Sequence, residues 1–102
     1  MIWSELSACF VGGLFLANSV PHTVKGICGD RFPTPFAKPP GRGLSSPLVN
    51  VLWGLGNLAV GYELLRVGNL LGGCELHRWV FFAGVVLLAI PTSIHFASKE
   101  KE

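Results

Sequence analysis

Residues 48–65 read LVNVLWGLGNLAVGYELL, an apolar stretch with a single charged side chain, Glu63. At about 100° per residue, a helix places its small and amide side chains on one narrow stripe. The stripe contains Asn50, Gly54, Asn57, Gly61 and, just beyond the stretch, Gly68. In water each interior glycine costs about 1 kcal/mol of helix stability. In lipid, small residues let a second helix approach closely, and asparagines hydrogen-bond across the contact. The stretch therefore predicts a membrane helix that packs through this stripe.

The composition of the whole chain agrees with a membrane location. Of the 102 residues, 50% are apolar and only 14% are charged, whereas soluble domains carry roughly 25% charged residues. The length fits a single membrane domain, residues 1–102. The basic residues form no continuous groove, which argues against nucleic acid as a partner. Cys9, Cys28 and Cys74 are odd in number and form no CxxC pair, so neither a disulfide framework nor a metal site is predicted.

Two further apolar stretches complete an all-α integral membrane fold with three transmembrane helices. We expect spans at about residues 2–20, 47–65 with an extension toward 72, and 79–97, each close to the roughly 20 residues that cross a bilayer. Ser46 followed by Pro47 is a typical helix start, because serine caps the free amides and proline fits the first turn. Pro91 lies within the third span, where membrane helices tolerate a kink.

Three spans put the N-terminus and the second connection on one side of the membrane, with the first loop and the C-terminus on the other. The loop and tail hold six basic residues, Lys25, Arg31, Lys38, Arg42, Lys99 and Lys101. The opposite side holds Arg66 and Arg78. The positive-inside rule then predicts a cytoplasmic loop and C-terminus and an external N-terminus. The predicted location is a bacterial inner (plasma) membrane.

The first loop, residues 22–46, reads HTVKGICGDRFPTPFAKPPGRGLSS and is rich in proline and glycine. Because prolines restrict the chain, less entropy is lost on ordering. We therefore expect an ordered cap at the membrane surface, with Phe32 and Phe36 against the headgroups. Free amides at a helix start can bind phosphate. The residues predicted for such an anion or lipid headgroup site are Arg31, Arg42, Ser45 and Ser46. The simpler interpretation is a capped helix beside a solvated arginine.

Polar residues of all three spans converge at the predicted cytoplasmic end. Asn18, His22 and His95, together with Asn50, are expected to form one cluster there, since buried polar groups in membranes face protein or water. The cluster either ties the helices together or forms a small-molecule, quinone or proton site. No cofactor is predicted, although His22 and His95 could in principle ligate a b-type haem.

The remaining polar residues of the spans lie near their ends. We interpret Glu5 as an ordinary interfacial carboxylate, and Glu63 with Arg66 as a local charge pair. His77 belongs to the membrane surface opposite His22 and His95. The chain contains none of the common catalytic motifs, so no catalytic residue is predicted.

The leading functional hypothesis is a non-enzymatic structural or accessory subunit, because three helices leave the stripe available for a further contact. Its expected partners are membrane lipid and either a second copy of the chain or a larger membrane complex, with the lower part of the stripe, Asn57 to Gly68, facing the neighbouring subunit. One alternative is an oligomeric transporter or channel that uses the intramembrane asparagines and Glu5. The other is a redox-associated protein that binds lipid, quinone or haem.

Overall fold

A computed structural model describes residues 2–97, which form three helices. Helix α1 is Ile2–Ile27, α2 is Pro47–Val67 and α3 is Glu75–Phe96. The fold is therefore all-helical, as predicted. The predicted cytoplasmic tail with Lys99 and Lys101 lies outside the described residues.

Helix α1 is longer than the expected span 2–20, because it continues through Pro21 to Ile27. The loop consequently starts at residue 28 rather than 22. A proline inside a helix removes one backbone hydrogen bond, but packing on a neighbouring helix can compensate. The last turns of α1 have such a neighbour, since a Cβ added to Gly26 would lie 2.5 Å from Cγ2 of Val51 in α2. Packing of its last turns against α2 thus allows α1 to remain helical beyond Pro21.

Helix α2 begins and ends with recognisable caps. The Ser46 hydroxyl accepts a hydrogen bond from the amide of Val49 at 3.2 Å, as the sequence predicted for this helix start. Helix α2 extends past the expected span end at 65, but only to Val67, and so stops short of residue 72. There Asn69 adopts a positive φ of 58°, and the amide of Leu70 donates to the carbonyl of Leu65 at 3.1 Å. This pattern is a Schellman motif, in which asparagine replaces the usual glycine.

Helix α3 begins at Glu75, before the predicted start of the third span at 79, and continues through Pro91. Helix α1 is the central element. Both α2 and α3 pack on it, and among residues 2–97 no Cα atom of α2 lies within 8 Å of one in α3. The contacts at the helix ends show that α2 runs antiparallel to α1 and that α3 runs parallel to it. The contact with α3 is close, since a Cβ added to Gly84 would lie 2.3 Å from the carbonyl oxygen of Phe10.

Two of the three helices, α2 and α3, are long and apolar enough to cross a membrane. Only 22% of the most apolar window of α2 and 6% of that of α3 are buried, so neither resembles the core helix of a soluble protein. Within residues 2–97, α1 does not reach the same apolarity. Its polar side chains, including Asn18 and His22, lower its mean hydropathy. The structure thus supports two of the three expected spans by length and composition.

Candidate functional site

A buried histidine and a buried asparagine join α1 to α2 near the loop. His22 is 2% exposed and Asn50 is fully buried. Nδ1 of His22 lies 2.9 Å from Oδ1 of Asn50. Because the asparagine oxygen can only accept, the histidine donates from Nδ1 and its Nε2 carries the free lone pair in the neutral ring. The pair therefore fixes both the ring orientation and its tautomer.

The amide nitrogen of Asn50 binds the loop. Its Nδ2 donates to the carbonyl oxygens of Phe32 at 2.9 Å, Ser46 at 3.0 Å and Ser45 at 3.3 Å. Each of these carbonyls also accepts a backbone amide, so the Asn50 side chain supplies a second donor to each. One side chain thus connects α1, α2 and both ends of the loop.

The loop closes on itself around residues 32 and 45. The amide of Ser45 donates to the carbonyl of Phe32 at 2.9 Å, and the amide of Phe32 returns a 3.3 Å bond. The hydroxyls of Thr34 and Ser45 are 2.6 Å apart, and both residues are buried. The amide of Gly41 donates to the carbonyl of Thr34 at 2.9 Å. These bonds give the proline-rich segment a defined shape over the end of the helices.

Aromatic contacts hold the end of α3 against the loop and α1. The ring centroids of Phe32 and Phe96 are 4.7 Å apart, and that of His22 is 5.4 Å from Phe32, both in edge-to-face geometry. Phe32 is 5% exposed, so the expectation that it lies against the headgroups is wrong. Phe36 is 66% exposed and contacts the indole of Trp53. Phe32, which precedes Pro-Thr-Pro, is therefore a core residue, whereas Phe36, which follows it, is exposed.

Asn18, His22 and His95 line one pocket of about 150 Å³ beneath the loop. The structure thus brings the three residues of the expected cluster together. Nε2 of His95 lies 2.8 Å from the carbonyl oxygen of Gly41, which ties α3 to the loop. Asn18 instead bonds Asn57, with 3.1 Å between its Nδ2 and the partner's Oδ1.

The size of this pocket limits what it can hold. Ligand sites for small molecules usually measure roughly 300–1,000 Å³, so about 150 Å³ suits a few waters or a very small polar molecule. A haem does not fit. Nε2 of His95 is bonded to Gly41, and a porphyrin is far larger than the pocket of about 150 Å³.

The Asn/Gly stripe of α2 packs against α1 of the same chain. A Cβ added to Gly54 would lie 2.1 Å from the hydroxyl oxygen of Thr23. One added to Gly61 would lie 3.1 Å from the amide nitrogen of Leu16, and one added to Gly68 would lie 2.9 Å from Sγ of Cys9. The expectation that the lower part of the stripe faces a neighbouring subunit is therefore wrong, because α1 covers it.

The four residues predicted for an anion site have different environments. The Ser45 hydroxyl contacts Thr34, and the Ser46 hydroxyl caps α2. Arg31 and Arg42 are exposed on the loop. Both serine hydroxyls are thus engaged within the protein, and binding of an anion here stays a prediction. At the other end of α2, Arg66 and Glu63 form the expected exposed ion pair, with Nε of Arg66 3.1 Å from the carboxylate.

A second polar cluster, which the sequence interpretation missed, lies at the opposite end of α1. Nε2 of His77 is 2.8 Å from Oε1 of Glu5, and Nδ1 of the same ring is 3.4 Å from Sγ of Cys74. The topology already placed the N-terminus beside the second connection, and Cys74 and His77 are one helical turn apart. The predicted topology and this spacing together could have identified the second polar cluster.

Comparison with family models, curated proteins and solved structures finds no match to this chain.

Proposed function

We propose that this chain is a small integral membrane protein in which all three helices cross the bilayer, and that it acts as a non-enzymatic structural or accessory subunit. One observation carries the proposal. The polar side chains of the helices are turned toward one another, whereas large apolar side chains face outward. The exposed ones on α2 and α3 include Leu52, Leu55, Leu58, Trp79, Phe82, Leu87, Ile90 and Ile94. Such an outer surface suits lipid or other membrane helices.

The position of α1 between α2 and α3 supports its own crossing. Helix α1 contains 26 residues. At a rise of about 1.5 Å per residue, a helix of this size extends roughly 39 Å, which exceeds the hydrocarbon core of about 30 Å. Glu5 contacts His77 at the start of α3, and His22 contacts Phe96 at its end. Helix α1 therefore runs along almost the whole length of α3. Its lower hydropathy follows from its central position, where polar residues face protein.

The proposed orientation rests on charge. The basic loop and tail are cytoplasmic and the N-terminus is outside, following the positive-inside rule. The pocket lined by Asn18, His22 and His95, which we call the loop-end pocket, then lies at the cytoplasmic surface. The Glu5–His77 contact lies at the external surface.

Because α1 covers the stripe, we place the proposed subunit contact in the groove between α1 and α3. This groove has a volume of about 470 Å³, and its lining includes the small residues Ala17, Ala89 and Ser93. Small residues favour close approach of a further helix. Because no Cα atom of α2 lies within 8 Å of one in α3 among the described residues, a neighbouring helix can also reach α1 between them.

Intact-complex mass spectrometry after purification in mild detergent tests the subunit role. We expect a defined complex, either of several copies or with another membrane protein. A preparation that is purely monomeric at all detergent concentrations, with no co-purifying protein, would contradict the subunit role.

A matched pair of variants tests the groove. Ala89→Trp fills it, whereas Ala83→Trp adds the same bulk at an exposed position of α3 that does not line it. We expect only Ala89→Trp to dissociate the complex. If both variants assemble normally, the groove is not the contact.

The transporter alternative receives less support. Asn50 and Asn57, which would line a path, are 0% and 4% exposed and are bonded to α1. Glu5 is bonded to His77. Solute-dependent flux in proteoliposomes would favour the transporter over the subunit role. The lipid- or quinone-binding alternative depends on a pocket that is small for such ligands.

A further inference from the structure

Three side chains from two separate parts of the chain form what we call the thiol site, which consists of Glu5, Cys74 and His77. The imidazole lies between the other two, 2.8 Å from a Glu5 oxygen and 3.4 Å from the Cys74 sulfur. A nucleophile, a base and a carboxylate that orients the base form the arrangement that activates cysteine in nucleophilic catalysis. The site is on the opposite end of α1 from the loop-end pocket.

The hydrogen bonds assign the direction of proton transfer. The carboxylate of Glu5 accepts from Nε2–H of His77, so Nδ1 of the neutral ring carries the lone pair. That lone pair faces Sγ of Cys74. The thiol proton can therefore pass to Nδ1 and leave a thiolate, while Glu5 stabilises the resulting imidazolium.

The protein holds the base rigidly and leaves the nucleophile open. His77 is 3% exposed, whereas Cys74 is exposed. Gly73 makes room for the ring, because a Cβ there would lie 2.5 Å from Cγ of His77. Arg78 donates to the carbonyl oxygens of Leu70 and Gly73, each at 3.1 Å, and so fixes the connection that carries Cys74.

The electrostatics of this end favour the thiolate. The hydrogen bond between Cys74 and His77, helped by the backbone amide of Leu76, lowers the pKa of the Cys74 thiol. Cys74 is also the N-cap residue of α3, where the helix dipole stabilises negative charge. The other charged groups on the first turn of α3 are Glu75 and Arg78. Since the thiolate is the nucleophilic form of cysteine, these contacts favour reaction at the Cys74 sulfur.

An apolar groove lined by sequence neighbours of Cys74 in the second connection and in α3 indicates the class of substrate. It measures about 650 Å³ and is lined by Leu70, Leu71, Trp79 and Phe82, among others, with Glu75 and Arg78 in its wall. Residues of the groove thus flank Cys74 on both sides in the sequence. A fatty acyl chain fits such a groove, and the charged wall suits the polar end of the molecule that carries it.

We propose that Cys74 is an acyl-accepting nucleophile, with His77 as its base and Glu5 as the residue that positions the base, and that the substrate is a fatty acyl group held as an ester or thioester. This inference rests on the proposed membrane location, which brings the site to the interface where acyl carbonyls lie. The Cys74 thiolate attacks the acyl carbonyl carbon and forms a new carbon–sulfur bond. The bond from that carbon to the donor oxygen or sulfur breaks, and the leaving group takes the proton from Nδ1 of His77. The products are the Cys74 acyl thioester and a free alcohol or thiol.

Intact-protein mass spectrometry with peptide mapping tests the substrate class. The full-length protein is incubated in one arm with phospholipid vesicles that carry palmitoyl esters, and in the other with palmitoyl-coenzyme A in detergent. We expect one palmitoyl group on Cys74, removable by hydroxylamine, in at least one arm, and the arm distinguishes ester from thioester donors. Cys28, which is also exposed, serves as the internal control. Absence of acylation at Cys74 in both arms overturns the acyl substrate.

Alkylation by iodoacetamide in detergent tests the activation of the thiol independently of any membrane. We expect Cys74 to react at least about tenfold faster than Cys28 at neutral pH, a modest part of what a positioned base contributes. His77→Ala and Gly73→Ala should shift the midpoint of the pH profile upward, and Glu5→Asp should retain more of the activation than Glu5→Gln. Equal rates at the two cysteines, or a profile unchanged by His77→Ala, would overturn the activation even if the protein spans the membrane as proposed.

Discussion

His22 donates a 2.9 Å hydrogen bond from Nδ1 to Oδ1 of Asn50, and both side chains are almost completely buried. The same asparagine donates to the carbonyls of the loop. The start of the stripe is therefore a joint between two helices and the segment that connects them. The role of Asn50 follows from its hydrogen-bonding capacity, because a single amide offers an acceptor to the histidine and donors to the backbone.

Asn50→Leu should destabilise the protein strongly. The substitution keeps a side chain of similar size but leaves the buried His22 donor without its partner, at about 1–3 kcal/mol, and removes one of the two donors to the Phe32 carbonyl. Thermal unfolding followed by circular dichroism in a fixed detergent measures the loss. Asn69→Gly is the control, because this exposed asparagine has a positive φ of 58° that glycine adopts freely. If both variants melt at the wild-type temperature, the joint does not hold the fold.

Gly54→Ala and Gly56→Ala should have opposite effects although both lie in α2. A Cβ on Gly54 would lie 2.1 Å from Oγ1 and 2.7 Å from the amide nitrogen of Thr23, so α1 must move away. A Cβ on Gly56 meets nothing within 4 Å, and alanine there gains up to about 1 kcal/mol of helix propensity. The same melting experiment should show a loss for Gly54→Ala alone. Equal stability of the two variants would contradict the packing of the stripe on α1.

The Asn18–Asn57 hydrogen bond should give a small positive coupling energy. The Nδ2–Oδ1 distance is 3.1 Å, and Asn57 also donates to the carbonyl of Trp53 at 2.8 Å. Interhelical hydrogen bonds in membranes contribute on average about 0.6 kcal/mol and at most about 1.7 kcal/mol. A double-mutant cycle with Asn18→Leu and Asn57→Leu measures the coupling from reversible unfolding. Strict additivity of the two changes would show that the bond contributes nothing.

Much of the fold was predictable because its signals are local. Ser46 and Pro47 define the start of α2 through capping chemistry, and the apolar lengths define α2 and α3. The continuation of α1 past Pro21 was not predictable, since it depends on contacts of its last turns with α2. The early stop of α2 depends on the positive φ of Asn69, a conformation for which the glycines at positions 72 and 73 have the stronger intrinsic preference.

The candidate sites were only partly predictable, for reasons of distance along the chain. The convergence of Asn18, His22 and His95 followed from the topology alone. The hydrogen-bond partner of each side chain was not predictable. The rotation of the helices about their axes determines that His22 bonds Asn50 and that Asn18 bonds Asn57. Glu5 and His77 are separated by 72 positions, and no periodicity in the sequence connects them. The stripe was recognised as a packing surface, but the sequence does not say whether α1 or another chain covers it.

The crossing of α1 is the central claim, and three cysteines in the chain allow a direct test. Cys28 and Cys74 are exposed on either side of α2, whereas Cys9 is buried. Ile2→Cys adds an exposed thiol at the start of α1. A membrane-impermeant maleimide is applied to right-side-out and to inverted vesicles, and labelling is mapped by mass spectrometry. If all three helices cross, the thiol at position 2 is labelled together with Cys74 and from the side opposite to Cys28. Labelling of position 2 from the same side as Cys28 would show that α1 does not cross, and would contradict the account.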